Sequence, residues 1–425
     1  MRVKTVQINW HDKLPIFSVD FDHRWQGDGW RFCTGGGDNN VRVWRLRSPQ
    51  DPLHEAQPVE FLASLNRHTA PVNVVRFCPA SGRLASAGDD GVIVIWRQAQ
   101  PPPEALADQL DDSAAGKETW RPVAMLRGSL ADICDLAWSP DGAFLVSASV
   151  DNTARVWDAR EARCLQVLAD HSHYVQGVAW DPLGEFIATQ SSDRSLRIYR
   201  WLGSRKRAGE QVARLEASHY SMPAPDGVRR QRLFHDDNLP SFFRRPAVSP
   251  DGRLLAAAAG VQRAPADARN ACFVWARDRL RAEPVLQLAG HAKPIVATRW
   301  APCMFAGAGS GWVSPGGRMM LAVASQSCVS LYDTSVGGRA VGLMDGLHYA
   351  AITDLAWTAD GSHLLVVSID GFASVASVDQ PTAALPLRLH EPVPEAQPVS
   401  RPAANPAADK SQARKRVAPT LLSAL

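Results

Sequence analysis

Four histidines recur along this chain at positions that could either hold a metal ion or form structural hydrogen bonds. His68, His171, His291 and His348 each precede a similar block of alternating apolar and polar residues. Because each block contributes one imidazole, the four cannot converge on a single ion. We therefore predict a structural rather than a metal-binding role for them.

No other group of residues indicates catalysis. The run Gly35-Gly36-Gly37 precedes a predicted strand rather than a helix, so it indicates a turn and not a phosphate-binding loop. The 7 cysteines are scattered and form no CxxC pair, which favours reduced thiols over zinc or redox chemistry. No nucleophile–base pair is recognisable. We predict no catalytic residue, no metal site and no cofactor.

A polar turn followed by a short strand that ends in an aromatic residue returns along the chain. Strong copies end at Trp44, Trp96, Trp157 and Tyr199, and weaker ones at Trp275, Tyr332 and Ala376. The shortest intervals approach the roughly 40–45-residue period of a WD-repeat propeller blade, and the longer intervals contain insertions. Seven copies predict an all-β fold, a seven-bladed WD40 β-propeller.

The third unit shows how each blade is built. Period-2 alternation predicts strands over 133–138, 144–149 and 154–157. The turn at 139–142 reads Ser-Pro-Asp-Gly, in which proline presets φ and glycine takes the left-handed position.

In WD repeats the histidine bonds a buried Ser or Thr and the turn aspartate, which ties the strands of one blade together. The structural blade residues predicted in this way are His68, Asp90, Trp96, Asp151, Trp157, His171, Asp193, His291 and His348. The third unit has Gly128-Ser129 where Gly-His is expected. We expect that blade to lack the full network and to be less stable by about 1 kcal/mol.

The opening residues are needed to complete the ring. Residues 2–9 alternate like a strand, and the last unit stops at Val378, one strand short. We predict that the N-terminal strand completes the last blade and removes an exposed sheet edge. Residues 1–378 then form the propeller, with insertions at 98–119, 201–245 and 304–318.

The first and third insertions and the end of the chain differ in composition. Residues 98–119 are Pro-rich and acidic and are expected to be disordered, whereas 304–318 are Gly-rich and indicate a long surface loop. Residues 379–425 form a Pro-rich basic stretch without periodicity, which predicts a disordered C-terminal tail.

The net charge, the first residues and the length of the apolar stretches limit where the protein acts and what it binds. The net charge is +3, which by itself does not indicate a nucleic-acid-coating protein. The first residues lack a signal-peptide apolar run, and the longest apolar stretch, 254–261, is far below the ~18 residues of a membrane span. We expect an intracellular protein with no membrane contact and no direct sequence-specific binding of nucleic acid.

Several segments resemble one family in particular. The opening MRVKTVQINWHDKLPIFSVDF, the segment EFLASLNRHTAPVNVVRF and above all LFHDDNLPSFFRR are similar to the WD-repeat (middle, or B) subunit of chromatin assembly factor 1. The resemblance covers nearly all of residues 1–378. It implies a non-catalytic scaffold in a nuclear histone chaperone that deposits core histones on newly replicated DNA. The implied partners are the large and small subunits, the anti-silencing function histone chaperone, and core histones, directly or through another subunit.

The specific segment carries a predicted surface for the large subunit. Its residues are His235, Asp236, Asp237, Phe242, Phe243, Arg244 and Arg245. Phe242 and Phe243 are adjacent, so at most one of them joins the core if the segment is extended. The alternative is that both only pin the insertion onto the ring. Pro246 follows where the family has an aliphatic strand residue, so the first strand of the fifth blade is expected to start later.

The end of the chain, near 414–422, resembles the B-domain-like motif that docks on the anti-silencing chaperone. The resemblance assigns a basic cluster, two apolar anchors and a rigidifying proline to Arg414, Lys415, Arg416, Val417, Pro419 and Leu421. A nuclear-import signal or a solvated basic end is the alternative.

Other functions fit the sequence less well. In the related WD-repeat chaperone of the replication-independent pathway, propeller and basic motif lie in one much longer polypeptide, and the stop at Leu425 counts against it. A WD40 substrate receptor of a ubiquitin ligase needs an adaptor-binding helix, and no F-box-like helix precedes residue 1. An enzyme is the least favoured class.

Overall fold

The chain forms a closed ring of seven four-stranded antiparallel sheets, as seen in a computed structural model. The predicted seven-bladed propeller is therefore confirmed. The structure describes residues 2–51, 53–99, 117–129, 131–202, 214–217, 219–224, 227–263, 268–307, 317–378 and 384–385.

Within each blade the strands run from the central channel outwards. Blades 1 and 2 contain Ile16–Phe21, Trp30–Gly36, Asn40–Leu46 and Val59–Asn66, then Val72–Phe77, Leu84–Gly88, Val92–Gln98 and Trp120–Arg127. Blades 3 and 4 contain Ile133–Trp138, Phe144–Ser149, Ala154–Asp158 and Arg163–Leu168, then Val175–Trp180, Phe186–Ser191, Leu196–Arg200 and Arg214–Ala217. Blades 5 and 6 contain Ala247–Val248, Leu254–Arg263, Ala268–Ala276 and Leu286–His291, then Ile295–Trp300, Met320–Ser325, Cys328–Asp333 and Ala340–Asp345. Blade 7 contains Ile352–Trp357, His363–Ser368, Ala373–Ser377 and Arg2–Val6.

A few short elements lie outside the seven sheets. They are the hairpin His219–Ala224 with Gly227–Arg232, the small sheet of Met304–Ala306, Gly317–Arg318 and Ala384–Leu385, and the 3-10 turn Arg277–Arg279. In the part of the chain that the structure describes, no helix has the length and apolar character of a membrane span.

The third blade follows its sequence pattern closely. Its first two strands have the predicted bounds, and its third ends one residue later, at Asp158. In the turn, Gly142 has φ +65°, and its N–H donates to the Ser139 carbonyl at 2.9 Å. The turn thus uses glycine where a left-handed residue is required.

The N-terminal strand lies in the last blade. Arg2 pairs with Ser377 and Val6 with Ala373, so Arg2–Val6 supplies the outermost strand of that sheet. Trp10 follows it into the core and donates its indole N–H to the Val6 carbonyl at 3.1 Å. The inner strands of blades 7 and 1 are in contact, which closes the ring.

The core consists of seven apolar clusters, each between two neighbouring blades. For example, Trp157 of blade 3 packs against Ile93 and Leu126 of blade 2. Both faces of most inner strands are buried, because each sheet is covered by a neighbour on either side.

Blade 5 is the irregular one. Its inner strand is only Ala247–Val248, since Pro246 has no N–H to donate, and the predicted late start is confirmed. The preceding residues link the blades on either side instead. Arg244 N–H donates to Gln176 O at 3.1 Å and Arg245 N–H to Val296 O at 3.0 Å.

The insertion 304–318 corrects one expectation. Its two ends are short strands rather than loop, and Met304 and Phe305 are buried. The reason is packing, since Phe305 belongs to the apolar cluster between blades 6 and 7. The central part, 308–316, lies outside the described residues, as do 100–116 of the first insertion.

Candidate interaction surface

Blades 1 and 2 contain complete hydrogen-bond chains. In blade 2, His68 Nδ1 lies 2.8 Å from Asp90 Oδ2 and its Nε2 lies 2.7 Å from Ser86 Oγ, which also accepts the Trp96 indole N–H at 2.8 Å. Because the carboxylate can only accept, Nδ1 carries the proton and Nε2 accepts from the hydroxyl. The hydrogen bonds then run in one direction, from the Trp96 indole through Ser86 and His68 to Asp90.

Blade 1 repeats this chain with a histidine that the sequence analysis missed. His11 lies 2.5 Å from Asp38 and 2.8 Å from Thr34, whose hydroxyl accepts from Trp44 at 2.9 Å. Burial lowers the pKa of His11, while its hydrogen bond holds the pKa of Asp38 at about 2 against the effect of burial. The signal was obscured because His11 precedes Asp38 by 27 residues, against 22 in blade 2.

Blades 3 and 4 keep most of the pattern. In blade 4, His171 lies 2.8 Å from Asp193 and 2.7 Å from Thr189. In blade 3, Ser129 replaces histidine and donates to Asp151 at 3.1 Å. The predicted incomplete network of blade 3 is confirmed, although serine still reaches the turn aspartate. Trp157 keeps its bond to Ser147 at 2.9 Å.

The pattern degrades in blades 6 and 7. His291 lies 3.1 Å from the Tyr332 hydroxyl. The turn after Met320–Ser325 contains no aspartate, so the expected pairing of this histidine with a turn aspartate is wrong in blade 6. His348 keeps its aspartate, Asp370, at 3.2 Å, but its Nε2 has no hydrogen-bond partner.

The end of the second insertion, residues 232–245, is here called the insertion segment. Its last three residues are buried, and the side chains of Arg244 and Arg245 are 1% and 0% exposed. Phe243 is buried while Phe242 is exposed, as expected for neighbours in an extended chain. The expectation that Phe243, Arg244 and Arg245 present their side chains on a surface patch is therefore corrected.

Arg245 fills the central channel. Its guanidinium donates to the carbonyls of Phe17 at 3.1 Å, Thr353 at 2.7 Å and Asn73 at 2.8 Å, which belong to blades 1, 7 and 2. It also lies 3.4 Å from Asp135 and 3.3 Å from Asp354. One side chain thus joins four blades across the axis of the ring.

The charges in the channel are balanced. Arg76 approaches the same two carboxylates, at 3.2 Å from Asp135 and 2.9 Å from Asp354. Burial opposes ionisation of Asp354, but Arg245 and Arg76 hold its pKa well below the usual range. Burial lowers the pKa of Arg245 to about 10, against the attraction of the two carboxylates. Arg299 also lies 3.4 Å from Asp354, and Asp20 interacts with both Arg76 and Arg299. Three cations and three anions therefore share this part of the ring.

Arg244 anchors the insertion segment to itself and to blade 4. Its Nε donates to Gln176 Oε1 at 2.7 Å and its Nη1 to the His235 carbonyl at 2.6 Å. It also donates to the carbonyl of Asp236. The sequence analysis identified both arginines, but it expected their side chains to be exposed, whereas they are buried.

The other residues of the predicted patch lie further out. His235 is half-buried and its Nε2 lies 2.8 Å from Asn270 Oδ1, while Asp236 pairs with Arg194 at 2.5 Å. Asp237 and Phe242 are exposed. A partner can therefore reach only this outer part of the segment directly. The tail residues Arg414, Lys415, Arg416, Val417, Pro419 and Leu421 lie outside the described residues.

Beside the insertion segment, one mouth of the channel forms a cavity of about 260 Å³. Phe242 and Phe243 line it together with Asp89, Asp132 and Ile369. In the part of the chain that the structure describes, no group of three or more His, Cys, Asp or Glu side chains could hold a metal ion.

The ring, with histidine hydrogen-bond chains that recur in several of its blades, defines the class, a seven-bladed WD-type β-propeller whose channel is filled by paired charges. A model of the family "CAF1B/HIR1 beta-propeller domain" matches residues 1–381. The chain is 38% identical to the middle (B) subunit of chromatin assembly factor 1 from Mus musculus, over 91% of this chain and 68% of that protein. It is 34% identical to the corresponding protein of Saccharomyces cerevisiae, over 94% of this chain and 90% of that protein. Protein hir-1 of Neurospora crassa is 29% identical, over 81% of this chain and 33% of that protein. The chain belongs to the family of the middle (B) subunit of chromatin assembly factor 1.

Proposed function

We propose that this chain is a non-catalytic scaffold subunit of a nuclear histone chaperone complex that deposits core histones on newly replicated DNA. The supporting observation is the match to relatives named as the middle (B) subunit of chromatin assembly factor 1, which extends over 90% of the length of the Saccharomyces cerevisiae relative. The replication-independent alternative has weaker support, because the chain is 29% identical to Protein hir-1 of Neurospora crassa, against 38% for the Mus musculus relative. No contact in the described residues favours a ubiquitin-ligase receptor.

The insertion segment supports a scaffold role because it has a buried part that anchors it to the ring and an exposed part that a partner can contact. Arg244 and Arg245 anchor the end of the segment to blades 4, 6 and the channel, next to its exposed outer residues. A partner then binds a preformed surface and loses less conformational entropy on binding. We propose that Asp237 and Phe242 contact the large subunit.

The test is affinity purification of the tagged full chain from cells of its source, with the bound proteins identified by mass spectrometry. We expect the large and small subunits of chromatin assembly factor 1, the anti-silencing chaperone and core histones. Asp237→Ala with Phe242→Ala should reduce recovery of the large subunit about tenfold, as for truncated interface anchors. Leu343→Ala, at an exposed apolar residue on the outer strand of blade 6, is the matched control. Recovery of none of these proteins by the unmodified chain would refute the proposed function.

The tail provides a second contact in this proposal. In an extended segment Val417, Pro419 and Leu421 project to one side, and Pro419 restricts the backbone before binding. We expect a 409–425 peptide to bind the anti-silencing chaperone in a calorimetric titration. Val417→Ala or Leu421→Ala should each cost roughly 1–3 kcal/mol, and Arg416→Ala a similar amount with stronger salt dependence. A peptide that gives no heat at high micromolar concentration would leave the tail as an import signal or a solvated end.

A further inference from the structure

The cavity beside the insertion segment has the size of a side-chain pocket. Its volume of about 260 Å³ is large enough to admit one long side chain. Phe243 forms part of its wall and lies over the guanidinium of Arg245, 3.9 Å from the ring centre. The cavity is therefore closed on the channel side and open to solvent on the other.

Two carboxylates face this cavity without a basic partner. Asp89 accepts a hydrogen bond from Asn73 Nδ2 at 2.6 Å, and neither Asp89 nor Asp132 forms an ion pair with a described residue. Partial burial and the nearby charge of Asp89 raise the pKa of Asp132. The channel arginines Arg76, Arg245 and Arg299 do not compensate this pair, because Asp20, Asp135 and Asp354 already balance them.

The same face of the ring carries an exposed apolar group on blades 7 and 1. It consists of Leu14, Tyr349, Ile369 and Phe372, and is here called the apolar rim. The residues are neighbours because the Tyr349 N–H donates to Asp370 at 3.0 Å and the backbone of Leu14 lies against Gly371. Ile369 also lines the cavity. The apolar rim and the two carboxylates thus flank one opening.

We infer that this cavity binds a lysine or arginine side chain from an extended segment of a core histone, with neighbouring residues of that segment lying on the apolar rim. The choice of a core histone rests on the proposed function. The chemistry rests on the cavity, because two uncompensated carboxylates favour a cation and repel phosphate groups.

The inference is tested with the full-length chain and fluorescein-labelled peptides of the N-terminal segments of histones H3 and H4, by fluorescence polarisation. We expect at least one peptide to bind, and Asp89→Asn with Asp132→Asn to weaken binding at least tenfold, because hydrogen bonds to a charged partner are lost. Asp278→Asn with Asp345→Asn is the matched control, since it removes two exposed carboxylates away from the cavity. Tyr349→Ala with Phe372→Ala should weaken binding about threefold.

A peptide in which the lysines are acetylated and the arginines are replaced by citrulline should not bind. The inference is overturned if no histone peptide binds, if the neutral peptide binds as well, or if the control variant loses as much affinity as the cavity variant. It is also overturned if sedimentation shows a dimer that Phe372→Ala dissociates, because the face would then join two copies of this chain. Any of these outcomes leaves recovery of the large subunit, and with it the proposed function, unaffected.

Discussion

The first four blades and the last three hold their strands together by different means. Thr34, Ser86, Ser147 and Thr189 place a hydroxyl at the same position of the second strand, where each of the first three accepts an indole N–H and Thr189 pairs with His171. Blades 5, 6 and 7 have Ala257, Val323 and Val366 at this position, all of them buried. A blade can therefore keep its four strands either by a polar chain or by apolar packing.

The difference has a counterpart in the centre of the ring. The blade with the shortest inner strand, blade 5, is preceded by the residues that cross the channel and bond to the opposite blades. Arg245 thus supplies non-local contacts where the local strand pairing is reduced. The comparison predicts that breaking the central contact has a larger effect than breaking any single blade.

The largest expected effect is that of Arg245→Met. This change removes the donor of three hydrogen bonds to backbone carbonyls and one of the cations beside Asp354. We expect the free energy of unfolding to fall by about 3–5 kcal/mol. Urea denaturation followed by tryptophan fluorescence measures it. Arg253→Met, at a more exposed arginine of blade 5, should cost less than 1 kcal/mol, and an equal loss in both variants would contradict a special role for the channel.

Histidine removal compares a complete chain with an incomplete one. His11→Ala breaks two buried hydrogen bonds and leaves Thr34 and Asp38 with fewer partners, so we expect a loss of about 2–3 kcal/mol. His348→Ala breaks a single longer bond to its aspartate and should cost about 1 kcal/mol. His173→Ala changes an exposed side chain and is the control for both. An equal loss of stability in His348→Ala and His11→Ala would contradict the difference between the first four and the last three blades.

Acid should weaken the ring through the same histidines. Burial lowers the pKa of His11, His291 and His348 below the usual 6.5, so the folded chain keeps them neutral while the unfolded chain protonates them. Their contribution is fully present above pH 6.5 and is lost as the pH falls towards their lowered folded pKa. We expect the free energy of unfolding to drop by about 1–3 kcal/mol between pH 7.5 and 5.5. Stability that stays constant or rises over this range would contradict the assignment.

The sequence predicted the fold better than it predicted the site. Turns such as 139–142 and the strands around them follow from local rules, and the structure has them as expected. The burial of Arg244 and Arg245 could not be read locally, because two adjacent arginines usually indicate a solvated surface. Their burial depends on acceptor groups from five other blades, which only the closed ring brings together.

The smallest expected effect tests whether blade 7 can be converted to the type of blades 2 and 4. Val366 precedes Asp370 by the same interval as Ser86 precedes Asp90, and His348 Nε2 above it lacks a partner. Val366→Thr keeps the branched shape and adds a hydroxyl that can donate to this nitrogen. A buried hydroxyl without a partner would destabilise the blade, but with His348 the bond should stabilise it by about 1 kcal/mol. The decisive comparison repeats the change in a His348→Ala background, where the same hydroxyl should instead be destabilising. If Val366→Thr has the same effect in both backgrounds, the hydroxyl does not bond the histidine, and the two types of blade are not interchangeable by this single position.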